Sequence, residues 1–199
     1  MAEILFPSGV ELASEGWTLN EPAQVNRSGW TGTRKVVGLP GASLWSSTAT
    51  IEGIATEDEE AGIRAFFVAL RGMRNTFRLQ AGCQQTDVTT ATVRTGAGNS
   101  DTLPMENLPA NATVLTAGKF LTVQLPSGHF RLVCLTLPLV TNGQGMGTAV
   151  FGPELGEIPV AGTAVELANP FALMAMTKPF SLQRADGLAN FSIECEEAR

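Results

Sequence analysis

His129 is the only histidine in the chain, and that limits the chemistry open to it. A Ser-His-Asp or Cys-His relay would have to use this residue, and zinc sites with two or more histidine ligands are excluded. It follows Pro126-Ser127-Gly128 and reads as a surface turn residue. The cysteines are Cys83, Cys134 and Cys195, an odd number with no C-x-x-C spacing, so neither a disulfide framework nor a thiolate zinc site is expected. A reactive thiolate needs an electropositive, partly exposed setting. Cys134 lies in the apolar stretch 132–137 and Cys195 on the inward face of an alternating strand, so both read as small core residues. Cys83 stands in a loop with no readable partner.

The run Glu57-Asp58-Glu59-Glu60 could serve metal or acid/base chemistry, but helix physics explains it better. Negative charge is favoured in a first turn, and Thr56 with Glu59 fits the T-x-x-E capping box. Gly96-Ala97-Gly98-Asn99-Ser100-Asp101 and Gly143-Gln144-Gly145-Met146-Gly147 are glycine-rich loops. Neither precedes a helical pattern, so neither is a dinucleotide fingerprint. The sequence thus points to no catalytic, cofactor or metal site, and no enzyme is expected. What remains are residues suited to protein contacts. Arg64, Arg71, Arg74 and Arg78 cluster in one stretch, and Arg64 and Arg71 share a helix face. Trp17 and Trp30 stand in turn-rich polar segments, and tryptophan is enriched at binding hot spots. These six are the candidate assembly contacts. Helix-end charge compensation and ordinary core packing are the alternative readings of them.

The elements that must position them follow from pattern. Residues 1–56 read as short β segments, with 14–28 polar and turn-rich and 34–41 a strand ending in a turn. In 43–54, Ala49, Ile51 and Gly53 lie on one face, and Thr50 and Glu52 on the other. One helix is expected over about 57–71, with Ile63, Phe66, Phe67 and Leu70 as its apolar stripe and Gly72 as its left-handed cap. Phe77 and Leu79 of the following strand should face that stripe. Residues 84–113 are rich in Thr, Gly, Asn and Pro. Residues 114–167 carry short strands and frequent turns, including a long strand over 130–140 buried on both faces by its composition, as in a small barrel or sandwich. Phe191, Ile193 and Cys195 alternate inward in the tail, a strand that needs a sheet to join. The cheapest arrangement is a domain built from both ends of the chain, with the middle inserted. The fold expected is therefore mainly β: a β-sandwich-like domain with one helix from 1–90 and 168–199, and a small inserted β-barrel from 91–167.

Composition agrees with a folded chain. Of 199 residues 44% are hydrophobic and 16% charged, against the low hydrophobicity and high charge of disorder. A net charge of −6 argues against a chain-wide nucleic-acid-binding role, since neutralising phosphates needs a basic surface. The apolar runs are too short for a helical membrane span, and Met1-Ala2-Glu3-Ile4 has no basic region leading to an apolar one, so neither membrane insertion nor a signal peptide is expected.

Several stretches together resemble tail proteins of tailed bacteriophages and prophages, of the distal-tail or minor-tail type. They are Ser28-Gly29-Trp30-Thr31-Gly32; Phe66-Phe67 through Leu70-Arg71-Gly72 to Thr76-Phe77 and Leu79; the glycine-rich loop at 95–99; Leu115-Thr116-Ala117-Gly118-Lys119-Phe120; and the run from Pro153 and Leu155 through Pro159, Gly162 and Val165 to Pro170. Gly156 stands where the family often has Arg, Lys119 where it often has Asp, and Phe130-Arg131-Leu132 where it often has a Tyr-containing pattern.

The resemblance implies a structural virion protein made in the host bacterial cytoplasm and located in the tail, with no active site and no cofactor. Distal tail proteins form a ring, here of three or six copies, that joins the tail tube to the hub and host-facing tip or baseplate. In that family a β-sandwich-like domain carries the ring contacts, and some members add a barrel of oligonucleotide/oligosaccharide-binding (OB) type. No sequence-specific nucleic-acid contact is implied. The alternative is a carbohydrate- or host-receptor-binding module on the middle barrel. Sugars stack on exposed rings, and 91–167 offers only Phe120, Phe130 and Phe151.

Overall fold

The computed structural model describes residues 2–39, 42–82, 84, 86, 88–95, 101–185 and 187–198. Cys83 and most of the loop at 96–101 lie outside the described residues. The fold is mainly β, 47% strand against 8% helix, so sheets do the positioning. In chain order the elements begin with β1 (Ser14–Asn20), β2 (Ala23–Arg27), β3 (Arg34–Gly38), β4 (Leu44–Ile54), α1 (Glu57–Leu70) and β5 (Thr76–Gln80). The middle holds β6 (Thr92–Val93), β7 (Thr102–Glu106), β8 (Thr113–Leu115), β9 (Phe120–Gln124), β10 (Phe130–Leu135), β11 (Leu139–Val140), β12 (Gly147–Gly152) and β13 (Val165–Glu166). The tail supplies β14 (Phe171–Met176), β15 (Ser181–Ala185) and β16 (Leu188–Glu197).

The chain divides into two compact units, each discontinuous: 1–18 with 45–80 and 171–199, and 19–44 with 81–170. Sequence pattern assigned 19–44 and 81–90 to the terminal unit. Gln84 and Ser43 tie these segments to the middle strands instead, while the β2–β3 hairpin within 19–44 pairs, among the described residues, only with itself. Gln84 joins β9, and the backbone at Ser43 accepts from Arg131 of β10.

The first unit is one antiparallel sheet with a helix on one face. Its strand order is β1-β4-β16-β14-β5, with β15 also paired to β16. The tail strand joins the N-terminal strand, as its alternation required: Ile193 opposes Ala49 and Cys195 opposes Ser47. Trp45, Ala49, Ile51, Phe77, Leu79, Met174, Phe191 and Ile193 are buried on the helix-facing side. The stripe of α1 meets them through Phe66, 5.5 Å from Phe77 edge-on, and Phe67, stacked 5.7 Å from Phe191. Each such buried side chain contributes about 1.5–3 kcal/mol, more than helix propensity supplies. The second layer over this sheet is thus the helix. Gly53 departs from the expected inward row and is exposed. It sits in a register shift between β4 and β16 at φ +75°, and Asn190 Oδ1 accepts its N–H at 3.0 Å. A β-bulge turns this residue out of the alternation.

The helix starts as its sequence dictates. Thr56 is extended and its side chain accepts from the Glu59 N–H at 3.3 Å. Its end is left-handed at Gly72 (φ 65°) as expected, and also at Arg71 (φ 50°), which forms the C-cap one residue earlier. Thr56→Ala should lower the unfolding free energy by about 1 kcal/mol, the usual cost of a lost N-cap, and Thr56→Asp should restore it. Denaturant titration followed by tryptophan fluorescence reads both, since Trp45 is buried in this unit's core.

The second unit wraps a sheet of order β13-β9-β10-β12-β7-β6 round an apolar interior. The two ends of that path are hydrogen-bonded to each other. Gly162 N–H donates to Val93 O at 2.8 Å, Val93 N–H to Thr163 O at 2.9 Å, and Val165 N–H to Ala91 O at 2.9 Å. The sheet therefore closes as a barrel, which leaves no open edge. Six strands take part, one more than an OB barrel uses. The order β13-β9-β10-β12 is a Greek key, with the fourth strand returning beside the first. Strands contribute inward residues in twos: Leu121 and Val123, Val133 and Leu135, Ala149 and Phe151, Leu103 and Met105. The strand expected over 130–140 breaks at Pro138, which lacks a donor, and resumes only as β11. Cys134, expected in the core, alternates to the outside between Val133 and Leu135 and is half-buried.

Candidate assembly surface

The four arginines adjacent in sequence are dispersed in the first unit. Arg64 on α1 is half-buried and lies 3.5 Å from Glu60. Arg78 is on β5, a position whose side chain leaves the sheet opposite to buried Phe77 and Leu79. It forks onto Glu3 at 2.7 and 3.4 Å and places its guanidinium 4.4 Å from the Phe171 ring centre. Only Arg71 and Arg74 share a place. They line a shallow groove after the helix with Ala2, Ile4, Ala69 and Asn75. Close sequence spacing does not survive the turn from helix to strand, because a strand sends alternate residues to opposite faces.

The two tryptophans also part company. Trp17 is half-buried and packs edge-on at 6.3 Å against buried Trp45, so it serves the core of its unit. Trp30 is 101% exposed, at the tip of the β2–β3 hairpin. The tip is a tight loop in which Ser28 N–H donates to Thr33 O at 3.0 Å and Gly32 N–H to Ser28 O at 3.0 Å, with Gly32 at φ +68°.

The acidic run is not uniformly solvated. Glu57, Asp58 and Glu59 are exposed, but Glu60 is buried and holds Arg184 of β15 through two bonds, at 2.6 and 3.3 Å. Bonding and charge from Glu60 push the Arg184 guanidinium up, so it stays charged at any working pH. The contact staples β15 to the start of the helix. Among the described residues no group of three or more His, Cys, Asp or Glu side chains could hold a metal ion. No helix among them is long and apolar enough to cross a membrane.

No protein-family model matches the chain, and no curated protein does.

The remaining chemistry-bearing residues serve packing. Gly145 (φ +70°) lies in the loop that failed the phosphate test, and a Cβ there would sit 2.3 Å from Leu108 O. Its glycine is required by close backbone approach. His129 is half-buried, and its carbonyl accepts from Leu125 N–H at 2.7 Å to close the β9–β10 turn. Burial raises the Cys134 thiol and pushes the Cys195 thiol up to about 12, and the Cys195 thiol donates to Ser47 O at 3.5 Å. Neither is poised as a nucleophile at neutral pH.

Cys195 makes a pH dependence testable. Above the ordinary thiol range the unfolded chain loses this proton and the folded chain keeps it. Stability is therefore full below that range and falls by about 1.4 kcal/mol per pH unit until the folded value is reached. Tyrosine, the usual confounder at these pH values, is absent. Unfolding curves of Cys195→Ala should fall less steeply than wild type between about pH 9 and 11, and the slope that remains belongs in part to Cys134, whose thiol burial also raises. An unchanged slope would place the titration elsewhere.

Sequence reasoning found the strand at 34–38 but missed its partner β2, and with it the hairpin. Segment 14–28 reads as polar and turn-rich, yet it forms β1 and β2. All ten strand residues of β2 and β3 are exposed, so neither hydrophobic alternation nor a core face marked them. The available signal was charge: Arg27, Arg34 and Lys35 stand in 22–51 without one acidic residue.

Proposed function

We propose that the chain is a structural component of a bacteriophage tail tip, assembling with copies of itself into a ring that joins the tail tube to the host-facing tip. The observation that carries this is the division of the chain. One unit, a sheet with a single helix, is built from both ends, and a closed barrel is built from the middle, the organisation that the likeness to distal tail proteins implies. Such a protein works by geometry. Identical heterologous contacts close a ring and hand on its symmetry. Its partners are then copies of itself, the tube and the tip proteins, and its place is the virion. The acidic balance suits a passage along which DNA slides without sticking.

Immunogold labelling of tailed particles with antibody to this chain tests the reading. Label at the junction between tube and tip is expected. Labelled particles marked only at the head, or tails that carry no label, would sink it. The glycan-binding alternative gains nothing from the barrel: Phe151 is buried inside it, and Phe120 and Phe130 are half-buried.

A further inference from the structure

A two-stranded hairpin alone is marginally stable in water and needs a covering layer. The β2–β3 hairpin has none in this chain, since every residue of both strands is exposed. Its two faces differ in character. Val25 and Val36 oppose each other on one face, with Ala23 beside them, and at the tip end of that face Arg27 opposes Arg34. Like charges directly across a strand pair repel, so this pair is a cost that only an external anion offsets. Beyond it projects Trp30, fully in solvent, while Val25 and Val36 are each 50% exposed. An aromatic anchor next to an arginine fork and a small apolar stripe is the composition of an interface centre.

We infer that the hairpin 23–38 is a docking arm that binds a second copy of this chain. Charge complementarity selects that occupant. All 19 acidic residues lie outside 22–51, so the rest of the molecule is strongly acidic while the arm carries Arg27, Arg34 and Lys35. An arm that meets a different patch on its neighbour makes a heterologous contact, and repeating it generates a ring or a filament. The inference rests on the self-assembly proposed above and supplies its contact element. Because the arm is charged and the contact lies near the surface, association should weaken with salt.

The test uses the full chain. Light-scattering mass is measured up to about 1 mM, where contacts of about 4–8 kcal/mol are populated. It is measured for wild type, Trp30→Ser and the Arg27→Glu/Arg34→Glu double variant. Wild type should associate and salt should weaken it. Trp30→Ser should weaken it by about thirtyfold, as for a hot-spot aromatic. The charge reversal should abolish it. Both variants should keep the wild-type circular dichroism and melting temperature, because all three residues are exposed on the hairpin. Variants that associate like wild type would overturn the arm while leaving self-assembly intact. A wild type that stays monomeric throughout would also overturn it, whereas the tail-tip reading is judged separately by particle labelling.

Discussion

Arg131→Met should destabilise the barrel unit by about 3–5 kcal/mol, the cost of breaking a buried charge-assisted network. Arg131 is 0% exposed on β10, on the same side of the strand as the core residues Val133 and Leu135. Its fork reaches two backbone carbonyls from different parts of the unit. Nη2 donates to Ser43 O at 2.7 Å, and Nε and Nη2 donate to Glu154 O at 3.3 and 3.2 Å. Methionine restores most of the volume, so the loss would measure the stranded carbonyls rather than a cavity. Arg131→Lys should still cost about 2–3 kcal/mol, because one ammonium cannot reproduce a planar fork. Hydrogen exchange of the β9, β10 and β12 amides is the suitable probe, since none of the tryptophans lies in 81–170. A loss below about 1 kcal/mol for the methionine variant would mean that the guanidinium is replaceable there.

The second large effect concerns Gln84, buried between the ends of two strands. Its Oε1 accepts from Phe120 N–H at 2.8 Å, and its Nε2 donates to Phe120 O at 2.6 Å and Leu167 O at 2.8 Å. Its own N–H donates to Ala168 O at 3.1 Å. One side chain thus clasps the start of β9 to the segment after β13. Gln84→Leu removes the partner of three backbone groups, one of them in a fully buried bond, and should cost about 2–3 kcal/mol. Gln84→Glu should cost more at neutral pH, because a carboxylate would face two carbonyl oxygens with no donor to offer. That setting raises the folded-state pKa of the introduced acid. The variant should then be most stable below the ordinary glutamate range, and should weaken as pH rises through the folded value. Denaturant midpoints of both variants at acidic and neutral pH decide this. A Gln84→Glu protein no weaker at neutral than at acidic pH would contradict the bonding described.

Both residues show where sequence reading stops. Arg131 sits in a strand, Phe130-Arg131-Leu132-Val133, whose composition marks it as buried on both faces but does not show what would bond a guanidinium there, and Gln84 sits in a polar stretch that marks no burial. Burial of polar groups is decided by which backbone atoms arrive opposite them. For Arg131 the nearer carbonyl belongs to Ser43, 88 positions away. The dispersal of the four arginines has the same origin. Their spacing was legible, but the faces on which they emerge depend on where α1 ends and β5 begins.

The local elements with strong periodicity were legible. The capping box and apolar stripe define α1 to within one residue, and the alternation of β4 and β16 predicts their shared buried face apart from the bulge at Gly53. Such elements carry their own signal because one face is buried along their whole length. The hairpin at 23–38 and the short strands β6 and β7 lacked that signal, the first because neither of its faces is buried in this chain, the others because turn residues dominate their segment. By itself, then, the sequence determined a mainly-β chain with one helix, a tail strand in need of an N-terminal partner and a barrel-like middle. Tertiary structure alone decided the unit boundaries, the closure of the barrel, the burial of Arg131 and Gln84, and the exposure of Trp30. Those outcomes rest on hydrogen bonds and contacts between residues far apart in the chain, which periodicity and propensity do not encode.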